Sequence, residues 1–372
     1  MINLCIITAN RAEYGILKEL INKIYNYRNF KLNLVVTGSH LDKKFGNTKN
    51  EILKDKIKIS KIIKSFPKKD TKIEILKSIS KSINYYSNFF LKKKFDLLLI
   101  LGDRYELIAP SLSAFFNNIP IAHINGGDIT EGSLDNNIRN FLSAISTLHF
   151  VTNQYSLKRV KDITGQNKNI FNVGSLSASR IKKIKKISKN KIEKILKIKF
   201  FKDNFLVTFH PITNETSQTL KQFKELLKAL MTLHDSTIIF TYPNNDYGSD
   251  NIIKLIKNFI KNKKNSYFFK SLGFENYINL SLHLDAVIGN SSSFILEIPF
   301  LKIPSIIIGN RQKGRIMPQS VISIKSNKKT IMNTLKNLKN NRYKISNKKN
   351  IYEKPNTINN IIKYIKMFFL KK

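Results

Sequence analysis

The stretch F-D-L-L-L-I-L-G-D-R-Y-E, residues 95–106, followed by I-P-I-A-H-I-N-G-G-D-I-T-E-G-S-L-D, residues 119–135, decides the fold. Its first part is an unbroken apolar run, Leu97 to Leu101. A short run of that kind fits a strand buried on both faces of a parallel sheet. The run stops at Gly102-Asp103-Arg104, where charge sits at the carboxyl end of the strand, the edge at which open α/β sheets take ligands. A second run, Ile119 to Ile124, ends in Asn125-Gly126-Gly127-Asp128. Paired glycines there allow backbone to approach a ligand closely. Asp103, Glu106, Asp128, Glu131 and Asp135 all fall within this stretch. Proton transfer needs a base and an acid on different sides of one substrate, and such a set can supply both. Taken singly, each carboxylate reads as a helix cap or a surface turn. Two consecutive strand ends carrying them together read as a site.

Working outward, residues 2–8 form a strand that ends in Thr8-Ala9-Asn10-Arg11, and Ile16, Leu17, Leu20, Ile21 and Ile24 mark one face of the helix behind it. Arg11 at such a turn can hold an anion together with helix-start N–H groups. A second strand over 32–37 leads to His40, a residue type in a setting that more often packs than catalyses. Leu76, Ile79, Ile83, Tyr86 and Phe90 predict an amphipathic helix over 70–92, and another is expected over roughly 134–147. A short strand begins at His149, and Val173-Gly174-Ser175 closes the first half. Residues 176–200 are lysine-rich with isoleucines at helical spacing and carry the domain boundary. The βα alternation then repeats, with strands expected at 204–209, 236–241, 265–269, 285–289 and 303–308. The fold expected is α/β, two Rossmann-type doubly wound domains with a cleft between them. They divide as 1–178, carrying the carboxylates, 179–354, and a helical tail over 355–372.

The chain has 372 residues, 42% of them hydrophobic, enough for two cores. Its formal charge of +40 would suit a polyanion partner. The lysines, however, are spread over nearly every helix and loop, and no aromatic-interleaved basic block resembles an RNA-binding signature. A lysine-rich coding bias explains the charge better than a nucleic-acid surface. Cys5 is the single cysteine, so the chain can form no internal disulfide, which suits a cytoplasmic setting. The first residues lack a basic n-region and cleavage site, and no window has the length and purity of a membrane span.

In the second half, Val207-Thr208-Phe209-His210-Pro211 puts a histidine just past a strand. Gly289-Asn290-Ser291-Ser292-Ser293 follows a strand and opens a helix, where N–H groups and hydroxyls can cradle a pyrophosphate. Glu297, one to two turns on, can accept from both ribose hydroxyls. Arg311, Lys313 and Arg315 add cations after the next strand. An ordinary serine-rich cap accounts for the serines alone. Cap, carboxylate and cations together describe a nucleotide-diphosphate site. No Walker A sequence, zinc-ligand spacing or Gly-x-Ser-x-Gly elbow occurs.

The motifs T-A-N-R-A-E-Y-G (8–15), V-T-G-S-H-L with F-G-N-T (36–48), L-G-D-R-Y-E (101–106), H-I-N-G-G-D-I-T-E-G (123–132), T-F-H-P (208–211), T-Y-P-N-N-D (241–246), I-G-N-S-S-S (288–293) and I-G-N-R-Q-K-G-R (308–315) run in order along nearly the whole chain. By them the chain resembles the hydrolysing UDP-N-acetylglucosamine 2-epimerases of sialic-acid-type sugar synthesis, relatives of the non-hydrolysing bacterial 2-epimerases. The resemblance implies a GT-B-like fold whose C-terminal helix packs back on the first domain. It implies a reaction in which a base takes the C2 proton while UDP leaves C1, giving a 2-acetamidoglycal. Water then adds across the double bond to release N-acetylmannosamine. It places catalytic carboxylates at Asp103, Asp128, Glu131 and Asp135, and nucleotide contacts at Arg11, His210, Ser291, Ser292 and Glu297, with Arg311 and Arg315 nearby. It requires neither metal nor cofactor, and it implies a UDP-sugar as partner and a homo-oligomer, dimer or tetramer. The chain departs from the family pattern at Asn125, Asn136, Asn140 and Phe294. Relatives with the same core motifs act on UDP-diacetylbacillosamine or GDP-linked amino sugars. A GT-B glycosyltransferase shares the nucleotide motifs but needs an acceptor and usually one base. A polyanion-binding protein would have no use for Glu297 or His210.

Overall fold

The computed structural model describes residues 1–69, 71–131, 133–212, 216–244, 246–340 and 350–370; Gly132 and Asn245, within two of the quoted motifs, and the last two residues of the tail lie outside them. The chain divides into two compact units. The first comprises Met1–Asp128, Asp135–Lys182 and Ile351–Lys372, the second Ile129–Leu134 and Lys183–Asn350.

The first unit is built on the strands Ile2–Thr8 (β1), Phe30–Val36 (β2), Ile59–Ile62 (β3), Leu97–Leu101 (β4), Ile121–Ile124 (β5), Leu148–Val151 (β6) and Ile170–Asn172 (β7). They form one sheet in the order β3-β2-β1-β4-β5-β6-β7, with every pairing parallel. Strand β4 explains its own sequence. Leu97, Leu99 and Leu101 enter the core on one face, and Leu98 and Ile100 enter the core on the other. With no polar face to present, the strand reads as a continuous apolar run.

Leu17, Leu20, Ile21 and Ile24 of the Arg11–Tyr25 helix pack on the first face. Ile361, Ile362 and Ile365 of the final helix, Thr357–Leu370, join the same core, and Tyr364 stacks on Phe171 with ring centroids 3.8 Å apart. Each such aliphatic side chain contributes about 1.5–3 kcal/mol on burial. The opposite face is covered by Tyr86 and Phe90 of the Lys72–Lys92 helix and by Leu142 of the Asp135–Ala144 helix. The Lys72–Lys92 helix packs through Tyr86, Phe90 and, in part, Ile83 of the face its apolar spacing predicts, and departs from that face toward its N-terminal end. Ser78, Ser82, Tyr86 and Phe90 are its buried residues, whereas Leu76 is 60% exposed.

The second unit repeats the plan with Asp203–Thr208 (β8), Ser236–Thr241 (β9), Ser266–Phe269 (β10), Ala286–Gly289 (β11), Ser305–Ile308 (β12) and Val321–Ile324 (β13). The order is β10-β9-β8-β11-β12-β13, again wholly parallel. Phe223, Leu226 and Leu230 of the Thr216–Met231 helix and Ile252, Ile256 and Phe259 of the Ser249–Asn262 helix fill its core against Phe205, Val207 and Phe240. In both sheets the strand order reverses beside the first strand. Right-handed crossovers leave a crevice there, outside the carboxyl ends of β1 and β4 and of β8 and β11. Arg11 and Asp103 follow the first pair; His210 and Ser291 follow the second.

Candidate active site

Beyond β4 the chain turns through Gly102 at φ +86°, a left-handed conformation that glycine adopts freely. A Cβ there would meet nothing within 4 Å, so the dihedral and not crowding selects glycine. Asp103, next in the chain, forms an ion pair with Arg139 of the Asp135–Ala144 helix. Arg139 is only 2% exposed, and its other arm donates to the backbone oxygen of Asp128 at 2.6 Å. One buried guanidinium therefore joins the ends of β4 and β5, and its planar fork suits this two-point role better than a lysine would. The Asp128 carboxylate is buried too, accepting from the Ser156 hydroxyl at 2.7 Å and the Thr152 hydroxyl at 3.3 Å. Gly127, at φ +80°, lets this turn lie against the helix that carries Ser156, since a Cβ would come within 2.2 Å of the Ser156 carbonyl oxygen. Asp135 opens the helix that carries Arg139.

Further polar and charged residues of this unit follow the ends of its strands. Glu106 pairs with Arg104 at 3.3 Å, both buried. Arg11 opens its helix, which Asn10 caps by accepting from the Glu13 N–H at 3.0 Å while the Glu13 carboxylate accepts from the Ala9 N–H at 2.7 Å. His40 is a buried histidine held between the hydroxyls of Thr8 at 2.9 Å and Thr48 at 2.8 Å. Burial lowers its pKa to about 3, so it stays neutral. Asn125 adopts φ +63°, a region asparagine tolerates better than most side chains. The side-chain oxygens of Asn125 and Asn140 are buried and accept no hydrogen bond among the described residues.

Glu131 is placed differently from its sequence neighbours. Its N–H donates to the Lys313 carbonyl at 3.0 Å, and its carboxylate pairs with the Lys313 ammonium at 2.9 Å. That pairing raises the Lys313 pKa. Gly314, at φ +84°, makes room, because a Cβ would meet Ile129 at 2.4 Å. The segment Ile129–Leu134 thus belongs to the second unit, whereas Asp103 and Asp128 belong to the first.

In the second unit, Asn290 is the hub. Its side chain accepts from the His210 N–H at 2.7 Å and donates to the His210 carbonyl at 2.9 Å. Its own carbonyl accepts from Arg311 at 3.2 Å and from Gln312 at 3.0 Å. His210 Nδ1 accepts from the Asn244 N–H at 2.9 Å, so a neutral His210 ring carries its proton on Nε2 and offers a donor there. Gly289, at φ +148°, lets β11 approach β8, because a Cβ would stand 1.9 Å from the Thr208 carbonyl oxygen. Ser291 and Ser293 share a hydroxyl hydrogen bond of 2.9 Å, and Tyr277 donates to Ser293 at 2.9 Å.

The helix that follows Ser292, expected from the sequence over 292–298, is shorter. It spans Ser293–Leu296 and gives way to a 3₁₀ turn at Ile298–Leu301, because Pro299 has no N–H to continue an α-helix. Glu297, 8% exposed, caps it one turn from the serines. Arg311 and Arg315 are buried at 5% and 8% exposure, and Phe294 is wholly buried.

Arg139, His123 and Ser156 in the first unit and Asn290 in the second are structural partners of the candidate residues that the sequence does not single out. The arginines did carry a signal. In a chain whose cations are overwhelmingly lysine, Arg104, Arg139, Arg180, Arg311 and Arg315 are all buried. Among the described residues no group of three His, Cys, Asp or Glu side chains is arranged to hold a metal ion, and no helix is long and apolar enough to cross a membrane.

Two parallel α/β units, each with polar and charged residues at its switch point, define a GT-B-like fold. By sequence the chain belongs to the UDP-N-acetylglucosamine 2-epimerase family, which it matches over residues 22–366. A GDP/UDP-N,N'-diacetylbacillosamine 2-epimerase (hydrolyzing) of Campylobacter jejuni is 38% identical over 325 residues, 87% of this chain and 84% of that protein. Polysialic acid biosynthesis protein P7 of Escherichia coli is 34% identical over an alignment that covers 98% of this chain and 94% of that one. The solved structure of a Neisseria meningitidis UDP-GlcNAc 2-epimerase bound to UDP-GlcNAc shares the fold with a TM-score of 0.81 over 99% of this chain and 100% of its own, at 17% identity.

Proposed function

We propose that this chain is a hydrolysing nucleotide-sugar 2-epimerase that converts UDP-N-acetylglucosamine to N-acetylmannosamine and UDP. The family supports the reaction class, and the observation that carries the site is the Arg139 bridge, which holds Asp103 against the turn that bears Asp128. In the first step a carboxylate of the set Asp103, Asp128, Glu131 and Asp135 takes the C2 proton. The C1–O bond breaks with its electron pair leaving on UDP, and a C1=C2 double bond forms. In the second step water adds its hydroxyl at C1 and a proton is delivered to C2 on the opposite face. Arg11, His210, Ser291, Ser292, Glu297, Arg311 and Arg315 hold the nucleotide, the cations and N–H donors meeting the charge that grows on the departing diphosphate.

A second sugar has its own support. The Campylobacter jejuni relative is named for GDP/UDP-N,N'-diacetylbacillosamine, so a diacetylated amino sugar is the alternative substrate of the same reaction. The Escherichia coli relative, named for polysialic acid biosynthesis, agrees with a sialic-acid-type product.

The test is turnover in deuterated water with a panel of UDP- and GDP-linked amino sugars and no acceptor. Free sugar and nucleoside diphosphate should appear together, with one solvent deuterium at C2 of the sugar. A product that keeps its substrate hydrogen at C2 would rule out elimination and leave simple glycosyl hydrolysis. Asp103→Asn, Asp128→Asn and Glu131→Gln should each still bind UDP and lose roughly 10²–10⁴-fold in turnover, because an amide keeps the shape and cannot transfer the proton. A variant blocked only in hydration should release the glycal, visible by mass spectrometry.

A further inference from the structure

His123 lies in β5, fully buried, and takes no part in the reaction as derived above. Its Nε2 is 2.7 Å from the carbonyl oxygen of Gly102, the residue that immediately precedes Asp103. A carbonyl oxygen only accepts, so Nε2 carries the proton. The other ring nitrogen, Nδ1, lies 3.1 Å from the Ser143 hydroxyl, which therefore donates to it. Burial lowers the His123 pKa to about 4, and His149, its register partner on β6, is likewise held neutral by burial. A neutral ring with one fixed tautomer is a positioning group and no proton shuttle.

The geometry around Gly102 shows why such a group is needed. The β4–β5 ladder ends at the Leu101–Ile124 pair, with the Gly102 N–H reaching back to the Ile124 oxygen at 2.9 Å. The chain then turns left-handed, and among the described residues no backbone N–H donates to the Gly102 carbonyl. The imidazole of the next strand supplies that donor. Ser143, which orients the imidazole, stands four residues after Arg139 on the Asp135–Ala144 helix and so shares its face. One helix face therefore holds Asp103 twice, by its side chain through Arg139 and by its backbone through Ser143, His123 and Gly102. Gly126 completes the arrangement. A Cβ there would lie 2.8 Å from the Ser143 hydroxyl and 3.1 Å from His123 Nδ1.

We infer that His123, oriented by Ser143 and given room by Gly126, is a positioning residue that sets the Gly102–Asp103 turn and with it the aim of the Asp103 carboxylate; this rests on the reading of Asp103 as catalytic. A carboxylate displaced by about 1 Å can lose on the order of 10²-fold in rate while leaving nucleotide affinity untouched.

The experiment compares kcat, KM and calorimetric UDP affinity for His123→Leu, His123→Gln, Gly126→Ala and Asp103→Asn in the full chain. Leucine removes the donor; glutamine can present an N–H near the place of Nε2; alanine at 126 removes no hydrogen-bonding group and presses on His123 and Ser143. His123→Leu and Gly126→Ala should lower kcat by about 10²-fold with KM and UDP affinity within about threefold, and His123→Gln should recover most of the loss. Asp103→Asn separates the two ideas. If it is inactive while His123→Leu or Gly126→Ala turns over like the wild type, the positioning inference is wrong and the site reading stands. If Asp103→Asn itself is fully active, the site reading fails first. A folded His123→Gln as impaired as His123→Leu would also overturn the inference, since the donor would then not be what matters. Should His123→Leu fail to fold, Gly126→Ala and His123→Gln decide by the same criteria.

Discussion

Glu13 is a carboxylate in a place where charge is costly. It is buried beneath the first turn of its helix, where it accepts from the Ala9 N–H and the Asn10 amide. Those donors favour the ionised form, yet burial, with Glu106 as a second negative neighbour, outweighs them and raises the pKa from 4.5 to about 8. The folded state thus binds the proton more tightly than the unfolded chain. Protonated Glu13 contributes stability that is complete below about 4.5 and is lost as pH rises through about 8. Glutamine cannot ionise and still accepts at the cap. Glu13→Gln should melt close to wild type near pH ~5 and progressively above it toward pH ~8.5. A melting difference that stays flat across that window would show that Glu13 is not the titrating group. None of this is legible in the sequence, where Glu13 is one acidic residue in a first helical turn. Asp103 and Asp128 were legible because each ends an apolar run. Arg139 and His123 were not, because each lies inside an element whose local pattern says only helix or strand.

The strands buried on both faces announce themselves, since an apolar run such as Leu97–Leu101 has no other use in a parallel sheet. Strands β3 and β13 lie at the sheet edges and are half exposed, and β7 has three residues; their order comes from a neighbour's ladder and not from their own periodicity. The Lys72–Lys92 helix shows the same limit. Its apolar residues cover more of the helix than the buried face, and only tertiary packing decides that Leu76 stays outside. Where two elements must approach closely, the sequence marks the place with glycine, and Gly289 is the strongest instance. Its φ of +148° and the 1.9 Å approach of the Thr208 oxygen both exclude a side chain. Gly289→Ala should cost about 1–3 kcal/mol from the backbone conformation alone, with the clash added. It should also weaken UDP binding, because Asn290, the next residue, holds both His210 and Arg311. Urea unfolding and calorimetry measure the two effects. A wild-type midpoint for the alanine variant would mean that β8 and β11 can part without loss.

At the scale of the molecule, two α/β repeats could be read from two series of strand ends, whereas the return of the tail to the first unit was implied only by the family resemblance. The allegiance of Ile129–Leu134 could not be read. The contacts that hold it to Lys313 and Gly314 join residues more than 180 apart in sequence, and no local pattern encodes that. The proposed division of labour, chemistry in the first unit and nucleotide binding in the second, is nevertheless testable. Asp103 and Asp128 lie in the first unit, and His210, Ser291 and Glu297 in the second. If Glu297 and Ser291 hold the nucleotide, Glu297→Gln and Ser291→Ala remove hydrogen bonds that involve a charged partner, worth about 1.5–3 kcal/mol. UDP affinity should then fall by roughly ten- to 150-fold in calorimetry. Asp103→Asn should leave that affinity alone and lower kcat. On the proposed roles, one group acting in chemistry and the other in nucleotide binding, the two substitutions should combine additively, to within about 0.5 kcal/mol. The Asp103→Asn, Glu297→Gln double variant should therefore bind UDP as the Glu297→Gln variant does and turn over as Asp103→Asn does. A double variant whose UDP affinity departs from that of Glu297→Gln by more than this margin would mean that the carboxylate end already senses the nucleotide before any sugar is present. The two sets of residues would then have to be treated as one coupled site.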